Sequence, residues 1–188
     1  RDCYETNVQG TRHVLTGCQA QGVPRLVYTS TPSVIFDGSD LCGVNETTPY
    51  PARYTCAYPA TKAIAEREVI EANGTRGLFT TALRPHLIWG PRDPHLLPTI
   101  LRRAKAGRLV IVGDGSNRVD LTYVENVADA HLLAADRLTP GSPVAGQVYF
   151  ISQGQPVVLW EFLNQVFRRL GIAPVSRKIS YRTARALG

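Results

Sequence analysis

The feature that most constrains this chain is a repeated alternation between short apolar runs and longer amphipathic ones. "RLVYTS", "LFTTALRP", "RLVIVGDGSN" and "GQVYFIS" are β-rich runs. Between and after them lie "TCAYPATKAIAEREVIEANG", "HLLPTILRRAKAG", "VENVADAHLLAADRL" and "LWEFLNQVFRRLG", with apolar residues at helical spacing. Near the start, "YETNVQGTRHVLTGCQAQG" sets Tyr4, Val8, Val14, Leu15 and Cys18 on a helix, with Gly22 as its C-cap. Asn73-Gly74 closes the helix that begins near Tyr58, and Pro98 suits the first turn of its own helix. A Gly/Pro/Asp-rich loop fills residues 31–54, and "GPRDP" is a turn. Strands alternating with helices of this length predict an α/β fold, with a parallel sheet covered by helices on both faces. In such folds ligands sit beyond the carboxyl ends of the strands, and "YTST" and "LRPH" mark two of those ends.

At 188 residues and 44% hydrophobic, the chain suits one globular unit or most of one. No apolar run approaches the length of a membrane span, and no signal peptide is visible. There is no methionine, and "RDCYETN" opens inside a helical pattern, so the sequence reads as a fragment. Cys3, Cys18, Cys42 and Cys56 form no metal-binding spacing, which points to single reduced cysteines in the cytoplasm and to no metal. The net charge of +6 favours anionic partners, and much of it lies in "FRRLGIAPVSRKISYRTARALG". Those cations lack the aromatic-basic interleaving of a nucleic-acid platform, so nucleic acid is not expected. Two readings of this basic end stay open: a solvated face, and a surface that rests on anionic lipid headgroups.

The chemistry concentrates in "YPATK". On a helix Tyr58 and Lys62 share a face, about 5–6 Å apart at Cβ. A phenol is a poor base at neutral pH, and an ammonium beside it favours the phenolate. Such a pair can accept a proton from an alcohol being oxidised. Alone it is weak evidence, because Tyr-x-x-x-Lys arises by chance in many helices. Upstream, the strand ending "VYTST" offers the hydroxyls of Ser30 and Thr31 to polarise a substrate oxygen; the plainer account of Thr31 is a strand-end cap. Asn7 is not a natural core choice on its helix, though a solvent-facing position would explain it equally.

Taken in order, Asn-Val-x-Gly-Thr, a strand ending Tyr-Thr-Ser-Thr, Tyr-x-x-x-Lys and "LRPHLIWGP" resemble the extended short-chain dehydrogenase/reductase family over essentially the whole chain. The resemblance implies a Rossmann-like doubly wound parallel sheet, NAD or NADP as cofactor, and a catalytic tetrad on Asn7, Thr31, Tyr58 and Lys62. Ser33 lies close to the third position. The family's glycine-rich phosphate loop is not in this chain; "VGDGSN" lacks its third glycine and enters a strand-like segment. The resemblance places that loop before "RDCYETN", which implies that the fragment binds cofactor poorly. It also divides the chain into residues 1–89, the later half of the dinucleotide-binding domain with the tetrad, and residues 90–188, mainly a substrate-binding region interleaved with returning Rossmann elements.

Within the family, sugar-nucleotide enzymes often carry an Arg-Asp pair before an aromatic-Val segment. Here Val119 precedes Asp120, and Arg118 would point elsewhere on a strand, which argues against a nucleotide-sugar substrate. "SVIFDGSDLCGVNETTPYP", "ALRPHLIWGPRDPHLLPTIL" and "GDGSNRVDLTYVENVADAHLLAADRL" resemble instead the 3β-hydroxysteroid dehydrogenase branch, and within it the decarboxylating sterol-4α-carboxylate 3-dehydrogenases. That implies oxidation of a 3β-hydroxyl on a steroid or sterol, with loss of a C4 carboxylate where one is present. Tyr58 would be the base. Lys62 would support it and hold the cofactor ribose, Thr31 would hold the substrate oxygen, and Asn7 would support a water in a proton path. Pro85, His86 and Ile88 would lie against the nicotinamide. Ser33, Trp89, Arg92 and His95 would face substrate, although loop surface accounts for His86, Arg92 and His95, and packing for Trp89. The resemblance further implies a homodimer formed through the helices of Asn7 and Tyr58. Other readings are a nucleotide-sugar epimerase or dehydratase, and a non-catalytic protein that senses cofactor.

Overall fold

The computed structural model describes residues 2–94 and 96–187, the side chain of residue 187 excepted. The chain forms two compact units, Arg1–His86 with Glu125–Ile151, and Leu87–Val124 with Ser152–Gly188.

The first unit opens with a π-helical turn, Glu5–Gln9, running directly into α1 (Gly10–Ala20). Gly22 follows with φ +66°, the left-handed turn expected just past a helix end. Three strands then pair in parallel: β1 (Arg25–Thr29), β2 (Phe79–Pro85) and a later strand, Val148–Ile151, in that order across the sheet with β2 in the centre. The central position explains why "TTALRP" is buried throughout, since a parallel strand covered on both faces has no water-facing side. In register, Thr29 lies opposite Leu83, and Pro85 opposite Ile151, so the carboxyl ends of the strands come together. α2 (Ala57–Glu71) connects β1 to β2. Its Pro59 falls in the first turn, where the missing N–H leaves no bond unmade. Leu15, Val69 and Leu78 form one core cluster; Val34, Ile35 and Ala63 form another, beneath Tyr50, Tyr54 and Phe150.

The second unit is built from shorter pieces. β3 (Ile88–Trp89), α3 (Leu96–Lys105), β4 (Ile111–Val112), β5 (Arg118–Val119) and β6 (Thr122–Tyr123) lead to α4 (Val124–Arg137), nearly all of which belongs to the first unit. The returning strand Val148–Ile151 is β7; after it come β8 (Val157–Val158), α5 (Leu159–Arg169), β9 (Lys178–Ile179) and α6 (Tyr181–Leu187). β3 pairs with β6 and β4 with β9 in parallel, and β5 pairs with β8 antiparallel. The core is Leu163, Phe167 and Ile172, packed by Ile100, Leu101 and Ala104 of α3. Asp93 caps α3, its carboxylate accepting from the N–H groups of Leu96 and Leu97 at 3.0 and 2.7 Å. The parallel sheet with helical crossovers is the Rossmann-like α/β arrangement expected. The short β3, β5, β6, β8 and β9 and the helix α6 went unforeseen. Among the described residues no helix is long and apolar enough to cross a membrane.

Candidate active site

Tyr58 and Lys62 stand one turn apart on α2, and Tyr58 is 48% exposed. Lys62 reaches the end of β1: its Nζ donates to the carbonyl oxygen of Thr29 at 2.7 Å and lies 4.1 Å from the centre of the Tyr28 ring. Burial draws this ammonium down from its ordinary value to about 8, against the charge of Glu66, which acts the other way. Tyr28 is itself pushed up to about 12, chiefly by burial, so it stays a neutral ring under the lysine. An ammonium has three N–H donors, and Thr29 occupies one. Lys62 thus keeps donors for the two hydroxyls of a ribose, and the sheet's carboxyl ends are where an α/β fold holds a nucleotide. The residues present fit a nicotinamide cofactor.

Asn7 sits in the π-helical turn, a form of helix that recurs at functional sites. Its amide Nδ2 donates to the Thr61 hydroxyl at 2.9 Å, and that hydroxyl in turn donates to the carbonyls of Ala57 and Tyr58 at 2.8 and 3.0 Å. Asn7 therefore ties its helix to the backbone of the turn that carries Tyr58. Its own carbonyl accepts from the Thr11 hydroxyl at 2.7 Å. Thr31 caps the short helix Pro32–Ile35: its Oγ1 accepts from the Ser33 N–H at 3.3 Å and donates to Ser33 Oγ at 3.2 Å. Thr31 and Ser33 are half-buried, whereas Ser30 is 5% exposed and its hydroxyl is inside. Of the strand-end hydroxyls, then, Thr31 and Ser33 are the ones open to a ligand.

Pro85 is buried in β2, and the backbone N–H of His86 donates to the Ile151 carbonyl at 3.4 Å. In the second unit, Ile88 is exposed in β3, and Trp89 packs edge-on against Tyr123 and Phe162, with ring centres 5.4 and 5.3 Å apart. Ile88, Trp89, Arg92 and Val124 are among the residues lining a cavity of about 400 Å³. Gly90 lies there with φ +147°, where a Cβ would fall 2.6 Å from Val124. Arg92 is exposed and holds a left-handed backbone, φ +66°. His95 lies outside the described residues. Arg118 Nη2 donates to the Pro156 carbonyl at 2.5 Å. Among the described residues no group of three His, Cys, Asp or Glu side chains could hold a metal ion.

Several participants carried no sequence signal. Thr61 is a hydroxyl next to Lys62, and only the fold turns it toward Asn7. Thr29 acts through its carbonyl, which no side-chain motif can reveal. Its hydroxyl is hydrogen-bonded to Nε2 of His131 at 2.7 Å, and Nδ1 of that ring donates to the Val127 carbonyl at 2.8 Å. Glu66 did carry a faint signal, since it follows Lys62 by four residues on the same helix.

Known structures and sequences give this arrangement its class. The dTDP-glucose 4,6-dehydratase of Bacillus anthracis, solved in complex with NAD, is 25% identical and matches with a TM-score of 0.74 over 94% of this chain and 56% of its own. The fold is thus that of the Rossmann-like α/β proteins. Residues 1–181 match the model of the 3-beta hydroxysteroid dehydrogenase/isomerase family, and the chain belongs to that family. A 2-alkyl-3-oxoalkanoate reductase of Stenotrophomonas maltophilia is 47% identical over 188 residues, 98% of this chain and 56% of that protein. The decarboxylating sterol-4-alpha-carboxylate 3-dehydrogenase of Schizosaccharomyces pombe is 43% identical over 177 residues, 93% of this chain and 52% of that protein. The branch expected from the sequence is the one found, while the oxoalkanoate reductase was not foreseen. The chain spans about half the length of the curated relatives it matches.

Proposed function

We propose that the full-length protein moves hydride between NAD or NADP and the carbinol carbon of an apolar alcohol, the 3β-hydroxyl of a steroid or sterol, with Tyr58 as the base. The observation that carries this reading is the Tyr58–Lys62 pair on α2, with the lysine anchored at the end of β1. The names of the two relatives share a chemical element that narrows the substrate. A 2-alkyl-3-oxoalkanoate and a sterol 4α-carboxylate oxidised at C3 both carry a carboxylate on the carbon next to the carbonyl. The substrate class is therefore an apolar β-hydroxy carboxylate or its β-keto partner.

In this mechanism Tyr58 takes the hydroxyl proton while the Lys62 ammonium holds the ribose hydroxyls. The bound nicotinamide supplies the hydride acceptor. Thr31, its hydroxyl proton turned away from Ser33 Oγ, donates to the substrate oxygen, and Asn7 acts through Thr61 to hold the Tyr58 turn. Once the carbinol is a ketone, the bond to the neighbouring carboxylate can break, with its electron pair passing into the carbonyl as an enolate and carbon dioxide leaving. The Thr31 hydroxyl then steadies the enolate oxygen. We assign the first unit to the dinucleotide, with Pro85 and His86 and, beyond it, Ile88 as nicotinamide contacts. The second unit is assigned to substrate: Trp89 and Arg92 line a cavity with an apolar wall, where the exposed Arg92 cation stands beside Asp93, whose carboxylate accepts from the N–H groups of Leu96 and Leu97, an arrangement suited to an apolar carboxylate. His95 is carried as a further substrate contact.

The deciding experiment gives the full-length protein NAD⁺ or NADP⁺ with a 4α-carboxysterol, a 3β-hydroxysteroid lacking the carboxylate, and a 2-alkyl-3-hydroxy acid. Reduced cofactor and carbon dioxide are followed together. Turnover of either carboxylate above the plain steroid is expected; turnover of none, with activity on a nucleotide sugar, overturns the reading. Homodimerisation through α1 and α2 belongs to the same proposal, and light scattering that returns a monomer mass would remove it. So does peripheral contact of the basic second unit with lipid, which failure to co-sediment with anionic vesicles would remove.

A further inference from the structure

Behind Lys62 lies a charged cluster that the mechanism leaves without a task. Glu66, one turn beyond Lys62 on α2, is fully buried, and Arg84 of β2 is 2% exposed. They form a two-pronged ion pair: Arg84 Nε donates to Glu66 Oε2 at 2.9 Å, and Nη2 to Oε1 at 2.6 Å. The Tyr50 hydroxyl donates to the same Oε1 at 2.5 Å. Burial pushes the Glu66 carboxyl up, but its hydrogen bonds, led by those from Arg84, outweigh this and hold it below the ordinary range. The Phe150 and Tyr50 rings flank the guanidinium at 5.3 and 5.6 Å, and Arg67 covers Tyr50 at 4.1 Å. Arg84 Nη1 is left buried without a hydrogen-bond partner among the described residues.

Stability alone does not explain such a cluster. A buried ion pair commonly does no better than an apolar pair of the same volume, and an unpartnered buried N–H makes it worse. Its position is more informative. Arg84 lies between Leu83, paired with Thr29, and Pro85, paired with Ile151. The pair thus clamps α2 to the central strand beside the carbonyl that holds Lys62.

We propose that the Glu66–Arg84 pair is a positioning device for Lys62: it fixes the α2 turn against the ends of β1 and β2, and its carboxylate sustains the ammonium charge. This rests on Tyr58 and Lys62 being the reacting pair. The charged and titratable groups around the lysine are Tyr58 and Glu66 on its own helix, Tyr28 on β1, Arg84 on β2 behind Glu66, Tyr50 of the loop, and His131 of α4 through Thr29. Glu66 is the one whose charge holds the Lys62 proton on.

Two variants of the full-length protein test this. Glu66→Gln keeps volume and one acceptor oxygen but removes the charge and sets an amide donor against the Arg84–Tyr50 donors; Glu66→Leu with Arg84→Met keeps volume and leaves no unpaired charge. The Lys62 ammonium, followed by NMR without cofactor, is expected to titrate about one pH unit lower in either folded variant. The alkaline limb of the oxidation profile should move down with it, and kcat should fall at least about tenfold. An unmoved titration and profile in a folded variant overturns the proposal, as does loss of folding in both, which would make the pair purely structural. Because the titration needs no turnover, it stands apart from the catalytic reading, which fails separately if Tyr58→Phe keeps wild-type turnover.

Discussion

The two units differ in how they spend polar groups. In the first, strands of five, seven and four residues pair in one sheet, and polar side chains at their ends are bound to partners: Lys62 to Thr29, Asn7 to Thr61, Arg84 to Glu66. The ion pairs Arg84–Glu66 and Arg12–Glu68 both belong to it. In the second, the strands are pairs of two residues, the core is aromatic and aliphatic around Phe167, and its acids are only Asp93, Asp114, Asp120 and Glu161. Against these stand Arg102, Arg103, Lys105 and Arg108 near the end of α3, and Arg168 and Arg169 at the end of α5. Leu87 and Arg92, before and after β3, adopt left-handed backbone. The contrast separates two tasks. Proton transfer needs groups fixed by a rigid frame, whereas recognition can be built on loops.

The largest expected effect breaks the first unit's chemistry without touching its frame. Tyr58→Phe in the full-length protein should lower kcat by about 10²- to 10⁴-fold, the range of a well-placed acid–base group. Its melting temperature should match wild type, since the exposed phenol supports no core contact. The reverse experiment lies in the second unit, where Phe167→Ala removes a fully buried ring. It should cost about 3–5 kcal/mol in denaturant unfolding. A loss of less than about 1 kcal/mol, the range of an exposed position, would mean that the unit is not organised around that ring.

The sequence made this contrast only half visible. β2 and α2 were legible because their signals are local: a continuous apolar run for a strand buried on both faces, and a period-3.6 pattern closed by Asn73-Gly74. Tyr58 and Lys62 were legible for the same reason, their spacing being the helix's own. The short strands of the second unit were not, because two residues carry no period and exist only through their partners. The Arg84–Glu66 pair was hidden by distance along the chain, 18 residues, and by the rule that such residues belong outside. Thr29 was hidden because its contribution to Lys62 is a carbonyl, which every residue has.

The pH dependence of stability sharpens the comparison, because the shifted lysine belongs to the first unit alone. In the folded protein Lys62 loses its proton near pH 8; in the unfolded chain it does so near its ordinary value of 10.5. Between these values the unfolded state binds a proton that the folded state does not, so stability rises with pH across that window. The slope is bounded by about 1.4 kcal/mol per pH unit and should be less for a lysine that is only half-buried. Lys62→Met should flatten it when denaturant unfolding is compared at pH 8 and pH 10. An identical slope in both proteins would show that burial does not shift this lysine.

The smallest effect is the most diagnostic for the second unit. Arg92 has φ +66°, a conformation that glycine adopts freely and an arginine only under constraint. Arg92→Gly should therefore relieve strain and raise stability by about 0.5–1 kcal/mol, the gain being trimmed by the extra freedom of glycine in the unfolded chain. If the guanidinium holds a substrate carboxylate, the same change should raise KM for a carboxylate substrate at least about tenfold and leave KM for its uncharged analogue unmoved. Stability up and carboxylate affinity down is the signature of a strained residue kept for recognition. Stability down with both KM values unchanged would make Arg92 a structural loop residue, and the carboxylate would need another partner.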